Sequence, residues 1–151
     1  MMKTKTIYLD VCALNRPFDD HSQDRVNIEA EAVLTILKRS QQDQWHLLNS
    51  EVIEIEISRI PDDDKRQKVE ILCLMLQKFI AVNDIIEKRA VELELFGFKP
   101  YDALHIACAE YGKAEVFLTT DDALLKKAHK YNKLKVKVEN PVVWLMEVIH
   151  K

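Results

Sequence analysis

The chain has 151 residues, of which 48% are apolar and 31% charged, enough to bury one core and to keep its surface in water. Two glycines and four prolines are too few for a loop-rich or all-β protein, so helices with short connections are expected. A formal charge of −3 excludes binding of nucleic acid by net charge alone, although acids that converge on divalent ions would change that balance locally.

Thr6-Ile7-Tyr8-Leu9 is a short β-type run that ends at Asp10. The polar stretch from Asn15 to His21 reads as a loop. From Asp24 to about Gln42 the pattern is helical, with Val26, Ala30, Val33 and Leu37 marking one face. Trp45 to Asn49 is a second strand, and Ser50 is placed to cap a helix. The segment behind Ser50 fits a helix through Val52, Ile53, Ile57 and Ile60, and a strand through the alternation Ile53, Ile55, Ile57. The cap favours the helix. Pro61-Asp62-Asp63-Asp64 is an acidic helix start, expected to lead to about Gln77.

Phe79 to Val82 predicts a third strand, and Asp84 to Phe96 a helix that stops at Gly97. Pro100 opens a helix with Asp102 in its first turn. Glu115 to Thr119 predicts a fourth strand, Asp121 to Tyr131 a helix, Val136 to Val138 a fifth strand, and Pro141 begins a last helix. Strands alternating with helices predict a single α/β domain over residues 1–151: three α/β/α layers around a mainly parallel sheet of four to five strands.

Met1-Met2-Lys3-Thr4-Lys5-Thr6 has no apolar run behind its charges, and stretches such as Val142 to Met146 are too short to cross a bilayer. No membrane contact and a cytoplasmic location are therefore expected. Cys12, Cys73 and Cys108 are odd in number, lack metal-type spacing and have apolar neighbours, which predicts reduced core thiols.

Ligands of such a sheet bind beyond the carboxyl ends of its strands. Asp10 ends the first strand and Asp121 follows the fourth, so the two carboxylates come close if those strands are neighbours. Bare like charges that close need a cation or a shared proton, and oxygen-only ligands suit Mg²⁺ or Mn²⁺. Asp102 is a third candidate. Each has a plainer reading: Asp121 or Asp122 as a helix cap, Asp102 as a helix-dipole partner. Asp10 caps nothing obvious, because a loop is expected after it.

With glycine only at 97 and 112, phosphate-loop and dinucleotide fingerprints are excluded, and no histidine pair has zinc spacing. His105 reads mainly as structural. Lys126, Lys127, Lys130, Lys133, Lys135 and Lys137 form a basic region that fits a solvated surface as well as a phosphate-binding face.

Four runs taken together resemble a known family: Tyr8-Leu9-Asp10, Asn49 to Ile57, Tyr101-Asp102-Ala103-Leu104-His105-Ile106-Ala107-Cys108-Ala109 and Phe117-Leu118-Thr119-Thr120-Asp121. In order and spacing they resemble the PIN domain of VapC-type toxin ribonucleases. The resemblance implies a divalent-metal-dependent endoribonuclease that hydrolyses RNA phosphodiesters as the toxin of a toxin–antitoxin pair. It carries an acidic quartet onto Asp10, Glu56, Asp102 and Asp121, with Glu54 and Glu51 as rivals of Glu56. Asp10, Asp102 and Asp121 would hold Mg²⁺ or Mn²⁺, with Thr119 supporting them from behind.

A small antitoxin partner and a homodimer are implied in the same way. Many relatives carry Asn or Ser where this chain has Cys12, so Asn15 and Arg16 are candidates for the missing polar contact. Arg16, whose planar fork suits phosphate, also has Asp19 and Asp20 nearby as ion-pair partners. A haloacid-dehalogenase-type reaction needs a second Asp at Cys12, and a receiver domain needs an adjacent acidic pair and a late strand-end lysine. The serious alternative is a catalytically weak PIN-fold module that binds RNA or protein.

Overall fold

The computed structural model describes residues 5–42 and 44–149. Strand β1 is Lys5–Leu9, β2 Trp45–Ser50, β3 Lys78–Ile80, β4 Val116–Leu118 and β5 Lys137–Glu139. They form one sheet in the order β3-β2-β1-β4-β5, and every pairing is parallel. In β1 the consecutive residues Ile7, Tyr8 and Leu9 are all buried, as are Val116, Phe117 and Leu118 in β4. A strand buried on successive residues is covered on both faces, which gives the three-layer α/β/α arrangement.

The strand order also locates a crevice. The chain builds outward from β1 to β2 and β3, then returns across β1 to build β4 and β5 on the other side. The direction reverses between β1 and β4. At such a switch point the connections leave in opposite directions, and a gap opens at the carboxyl ends of the two strands.

Short helix α1 (Val11–Asn15) follows β1 directly and runs into a 3-10 turn at Arg16–Phe18, where a loop was expected. Helix α2 (Asp24–Ser40) buries Val26, Ala30, Val33 and Leu37, the face its spacing predicts. Its inner residue Glu29 is buried and accepts hydrogen bonds from Arg16 Nε (2.8 Å), Arg25 Nε (3.1 Å) and Asn140 Nδ2 (2.7 Å). One carboxylate thus ties the 3-10 turn, α2 and the start of the last helix together.

The ambiguous segment is helix α3 (Glu51–Ser58), capped by Ser50, whose Oγ accepts the Ile53 N–H at 3.0 Å. Helix α4 (Asp63–Leu72) is capped by Asp62 and passes into a 3-10 turn at Cys73–Met75, ending short of the expected Gln77. Helices α5 (Asp84–Leu95) and α6 (Pro100–Tyr111) pack on each other, α7 (Asp122–Lys130) follows β4, and α8 (Pro141–Ile149) packs on α2. Among the described residues no helix is long and apolar enough to cross a membrane.

Gly97 makes the turn between α5 and α6 at φ +98°, a conformation that costs a residue with a Cβ. Its carbonyl accepts from Lys127 Nζ at 2.7 Å, fastening that turn to α7. Gly97→Ala is expected to cost about 1–2 kcal/mol, read as a lower urea midpoint at unchanged slope.

Candidate active site

Asp10 lies at the switch point. β1 pairs with β4 in the register Leu9 opposite Leu118, and the Asp10 N–H donates to the Leu118 carbonyl at 3.1 Å. Asp10 is 4% exposed. It is also a helix cap, which the sequence reading missed: Oδ1 accepts the Ala13 N–H of α1 at 2.9 Å. The Thr119 hydroxyl donates to the same carboxylate and accepts the Asp121 N–H at 3.1 Å. Thr119 therefore links the two aspartates that end neighbouring strands.

Asp121 caps α7, with Oδ1 accepting from Ala123 N (2.9 Å) and Leu124 N (3.2 Å). Asp122 is instead exposed and held by Arg25 at 2.7 Å, which holds its pKa below the ordinary carboxylate range. Asp102, in the first turn of α6, receives no hydrogen bond or ion pair from a described residue. It shares a small hollow of about 70 Å³ with Asp121, lined also by Lys99 and Lys127.

Asp10, Asp102 and Asp121 take part in no ion pair among the described residues, although the charge of Lys99 offsets part of the rise at Asp102. Their electrostatics show the consequence. Burial, offset in part by the hydrogen bonds from Thr119 and Ala13, pushes Asp10 up to about 6, and Asp102 adds to the rise. Burial also raises Asp102, followed by the charges of Asp121 and Glu56.

Three glutamates of α3 were rivals for the fourth acid, and they face different ways. Glu51 accepts the Val82 N–H at 2.9 Å, and Glu54 accepts from Asn49 Nδ2 at 3.2 Å. Glu56 turns toward the aspartates and meets His105 Nε2 at 2.6 Å. His105 is buried, and its Nδ1 lies 2.6 Å from the Tyr8 hydroxyl, which lies 2.8 Å from Ser50 Oγ.

The donors follow from the ends of this relay. A Glu56 carboxylate only accepts, so Nε2–H donates to it; Nδ1 then accepts from Tyr8, and the Tyr8 oxygen accepts from Ser50. Burial, then the Cys108 sulfur, holds the Tyr8 hydroxyl well above its usual range, so it stays a donor. The relay was not foreseen, although a tyrosine inside a buried strand must find a partner for its hydroxyl.

The polar candidates near Cys12 fare differently. Arg16 is engaged by Glu29 through Nε and by Asp19 through Nη1 at 3.1 Å, so the ion-pair alternative is the one its geometry shows. Asn15 ends α1, and its Oδ1 is buried without a hydrogen-bond partner. The three cysteines are free, but only Cys108 is a core residue; Cys73 is half-buried and Cys12 is exposed. Although Cys12 is open to solvent as a residue, the walls around its sulfur, followed by the charges of Asp10, Asp121, Glu56 and Asp102, push the thiol up to about 12. All four acids thus act on one point beside α1.

The donor chemistry fits a divalent cation: oxygen ligands, unneutralised and partly withdrawn from water. Among the described residues no three side chains of His, Cys, Asp or Glu close on a common point. The carboxylates therefore form no ready-made cage, and the fit rests on their chemistry as oxygen donors.

Residues 7–130 match the family model of the PIN domain. The chain belongs to the PIN-domain family. Domains of this family are generally nucleases. Solved structures with the same fold include FitAcB from Neisseria gonorrhoeae (14% identity, 89% of this chain and 97% of that chain, TM-score 0.59). VapBC2 from Rickettsia felis, solved bound to a DNA fragment from their promoter, matches at 15% identity over 89% of this chain and 98% of that one, TM-score 0.59. PAE2754 from Pyrobaculum aerophilum matches at 16% identity over 98% of this chain and 91% of that one, TM-score 0.53. No curated protein matches the sequence significantly.

Asp10 carries a stability cost that depends on pH. Its folded-state value lies above the unfolded one, so the folded PIN domain holds this proton more tightly and loses stability as pH rises from about 4 to 6. A rise of that size corresponds to about 3 kcal/mol. Asp10→Asn should be more stable than the wild type at pH 8 by up to about 3 kcal/mol, without added metal. The gap should close toward pH 4, as measured by denaturant titration across that range.

Proposed function

We propose that this PIN domain is a divalent-metal-dependent endoribonuclease, the toxin of a toxin–antitoxin pair. The observation that carries the reading is the gathering of carboxylates at the β1/β4 switch point, none of them in an ion pair with a lysine or arginine among the described residues. Such a group is costly unless it serves to bind a cation. Membership of a family of nucleases supports the hydrolysis of a phosphodiester, and the resemblance to VapC-type toxins supports RNA as the substrate.

In this reading Asp10, Asp102 and Asp121 would hold Mg²⁺ or Mn²⁺ through their carboxylate oxygens. The bound ion supplies the positive charge that lowers the pKa of a water and offsets the charge growing on the phosphoryl oxygens. Thr119 keeps Asp10 and Asp121 in register. Glu56, fixed by His105, orients the attacking water with its carboxylate. Hydrolysis adds that water across one P–O bond, and none of the acids forms a covalent bond.

Asn15 keeps a place among the substrate contacts through its unpartnered Oδ1. Arg16 does so less directly, since two carboxylates already occupy its fork. A small antitoxin and a homodimer belong to the same proposal, and the likeness of the fold to VapBC2 and FitAcB supports the former.

Purified protein should cut RNA with Mg²⁺ or Mn²⁺ and stop when the ion is chelated. Asp10→Asn and Asp121→Asn should each lower kcat at least about a hundredfold, on the scale of losing a group that stabilises transition-state charge. Equal cutting by the wild type and both variants would trace the activity to a contaminant and defeat the proposal.

His105 is a positioning residue in this scheme, and its test is separate. His105→Ala should lower kcat about 10- to 100-fold with KM little changed. His105→Gln, whose amide can still donate to Glu56, should recover most of the loss. Equal defects in the two variants would mean that His105 only fills space.

A further inference from the structure

The outer face of α7 is unusual for this protein. Lys126 and Lys130 lie one helical turn apart, both exposed, and neither has a carboxylate partner among the described residues. Elsewhere Arg16, Arg25, Lys65, Arg66, Lys68, Arg89 and Lys137 sit in ion pairs, while Lys38, Lys78, Lys88, Lys99 and Lys113 do not among the described residues. The single acid within α7, Asp122, is taken by Arg25. The face of α7 thus carries lysines free of carboxylates next to the acidic group, in a chain whose net charge is −3.

That helix starts at the acidic group. Ala123, Lys126, Lys127 and Lys130 follow the spacings that place residues on one face of a helix, and the stripe runs away from the Asp121 cap for about 10 Å. Beside it is a hollow of about 490 Å³ lined by Phe96, Ala123, Lys126, Lys127, Lys130 and Tyr131. Ala123 and Lys127 also line the hollow that holds Asp102 and Asp121, so the two adjoin.

Phe96 gives this hollow its second property. It ends α5, is 55% exposed, and is braced from behind by Tyr131 at 4.6 Å between ring centroids, which in turn meets Phe98 at 5.9 Å. A half-exposed aromatic ring held by other rings, with ammonium groups alongside, matches the way proteins take a single strand: bases stack on the ring while phosphates follow the cations.

We infer that the Phe96–Lys126–Lys130 hollow is the path along which single-stranded RNA leaves the acidic group, with a base on Phe96 and phosphates on the two lysines. The inference rests on the proposed RNA cleavage and adds where the strand runs. It also answers the mismatch between a negative chain and a negative substrate. A cation would offset the carboxylates of the site, and attraction is supplied by the helix face beside them.

The test is cleavage kinetics on a mixed-sequence single-stranded oligoribonucleotide with Mn²⁺, using the full chain. The double variant Lys126→Ala/Lys130→Ala should raise KM while kcat stays within about twofold. The slope of log(kcat/KM) against log salt should flatten by about 1.4, since each phosphate contact to a single strand contributes about 0.7. Phe96→Ala should raise KM about 5- to 150-fold, and Phe96→Trp should restore it, because any large ring serves for stacking.

The lysine variants alter only exposed side chains, so they keep the inference falsifiable even if Phe96→Ala destabilises the Tyr131 contact. Wild-type KM and salt slope in the double variant, with normal cleavage by the unaltered protein, would overturn this path and leave the nuclease reading intact. A loss confined to kcat would also overturn it. An unaltered protein that cuts no RNA with either ion would remove both.

Discussion

The pairing of β1 with β4 is the constraint from which the candidate site follows. It sets Leu9 against Leu118 and so delivers Asp10 and Thr119 to the same rim of the sheet. Because the chain reverses its direction of build at these two strands, the rim there is open. The hydroxyl of Thr119 then spans the gap, reaching one aspartate through its proton and the backbone of the other through its oxygen. A side chain at that position without a hydroxyl would remove this link and leave the two carboxylates held only by their helix-capping bonds.

At the same rim one residue both caps a helix and stands in the candidate site. Asp10 and Asp121 each cap a helix, and each stands in the acidic group. Capping consumes one oxygen of the carboxylate and orients the other. The plain reading of a strand-end aspartate as a helix cap and the functional reading are therefore not exclusive here. Glu56 obtains its fixed direction differently, from a buried line of Ser50, Tyr8 and His105 that ends on its carboxylate. In that line each group has one role left once its neighbour is assigned, which leaves Glu56 as the terminal acceptor.

Much of this was legible in the sequence. The alternation of elements fixes the α/β class, and Ser50 decides an otherwise ambiguous segment because a serine ahead of a helix has a mechanical role that a strand does not use. The helix over Val11–Asn15 was illegible for a physical reason: five residues are less than two turns, too few to show a period. Missing it hid the cap at Asp10 and made Cys12 read as a core thiol, when α1 turns it outward beside the acids. The fourth acid could not be chosen among Glu51, Glu54 and Glu56 from spacing. Its choice depends on His105, which is remote in sequence and buried in a different helix. Arg16 was ambiguous because its strongest partner, Glu29, lies on a separate helix.

The two outermost strands, β3 and β5, are only three residues long, and each begins with a lysine. A border that short offers almost no ladder for a foreign strand to extend, and a charged first residue discourages the attempt. Growth of the sheet from one molecule into the next is thereby blocked at both margins. Self-association of this chain is left to its helices, where Ile85, Val91 and Leu95 already stand uncovered along α5.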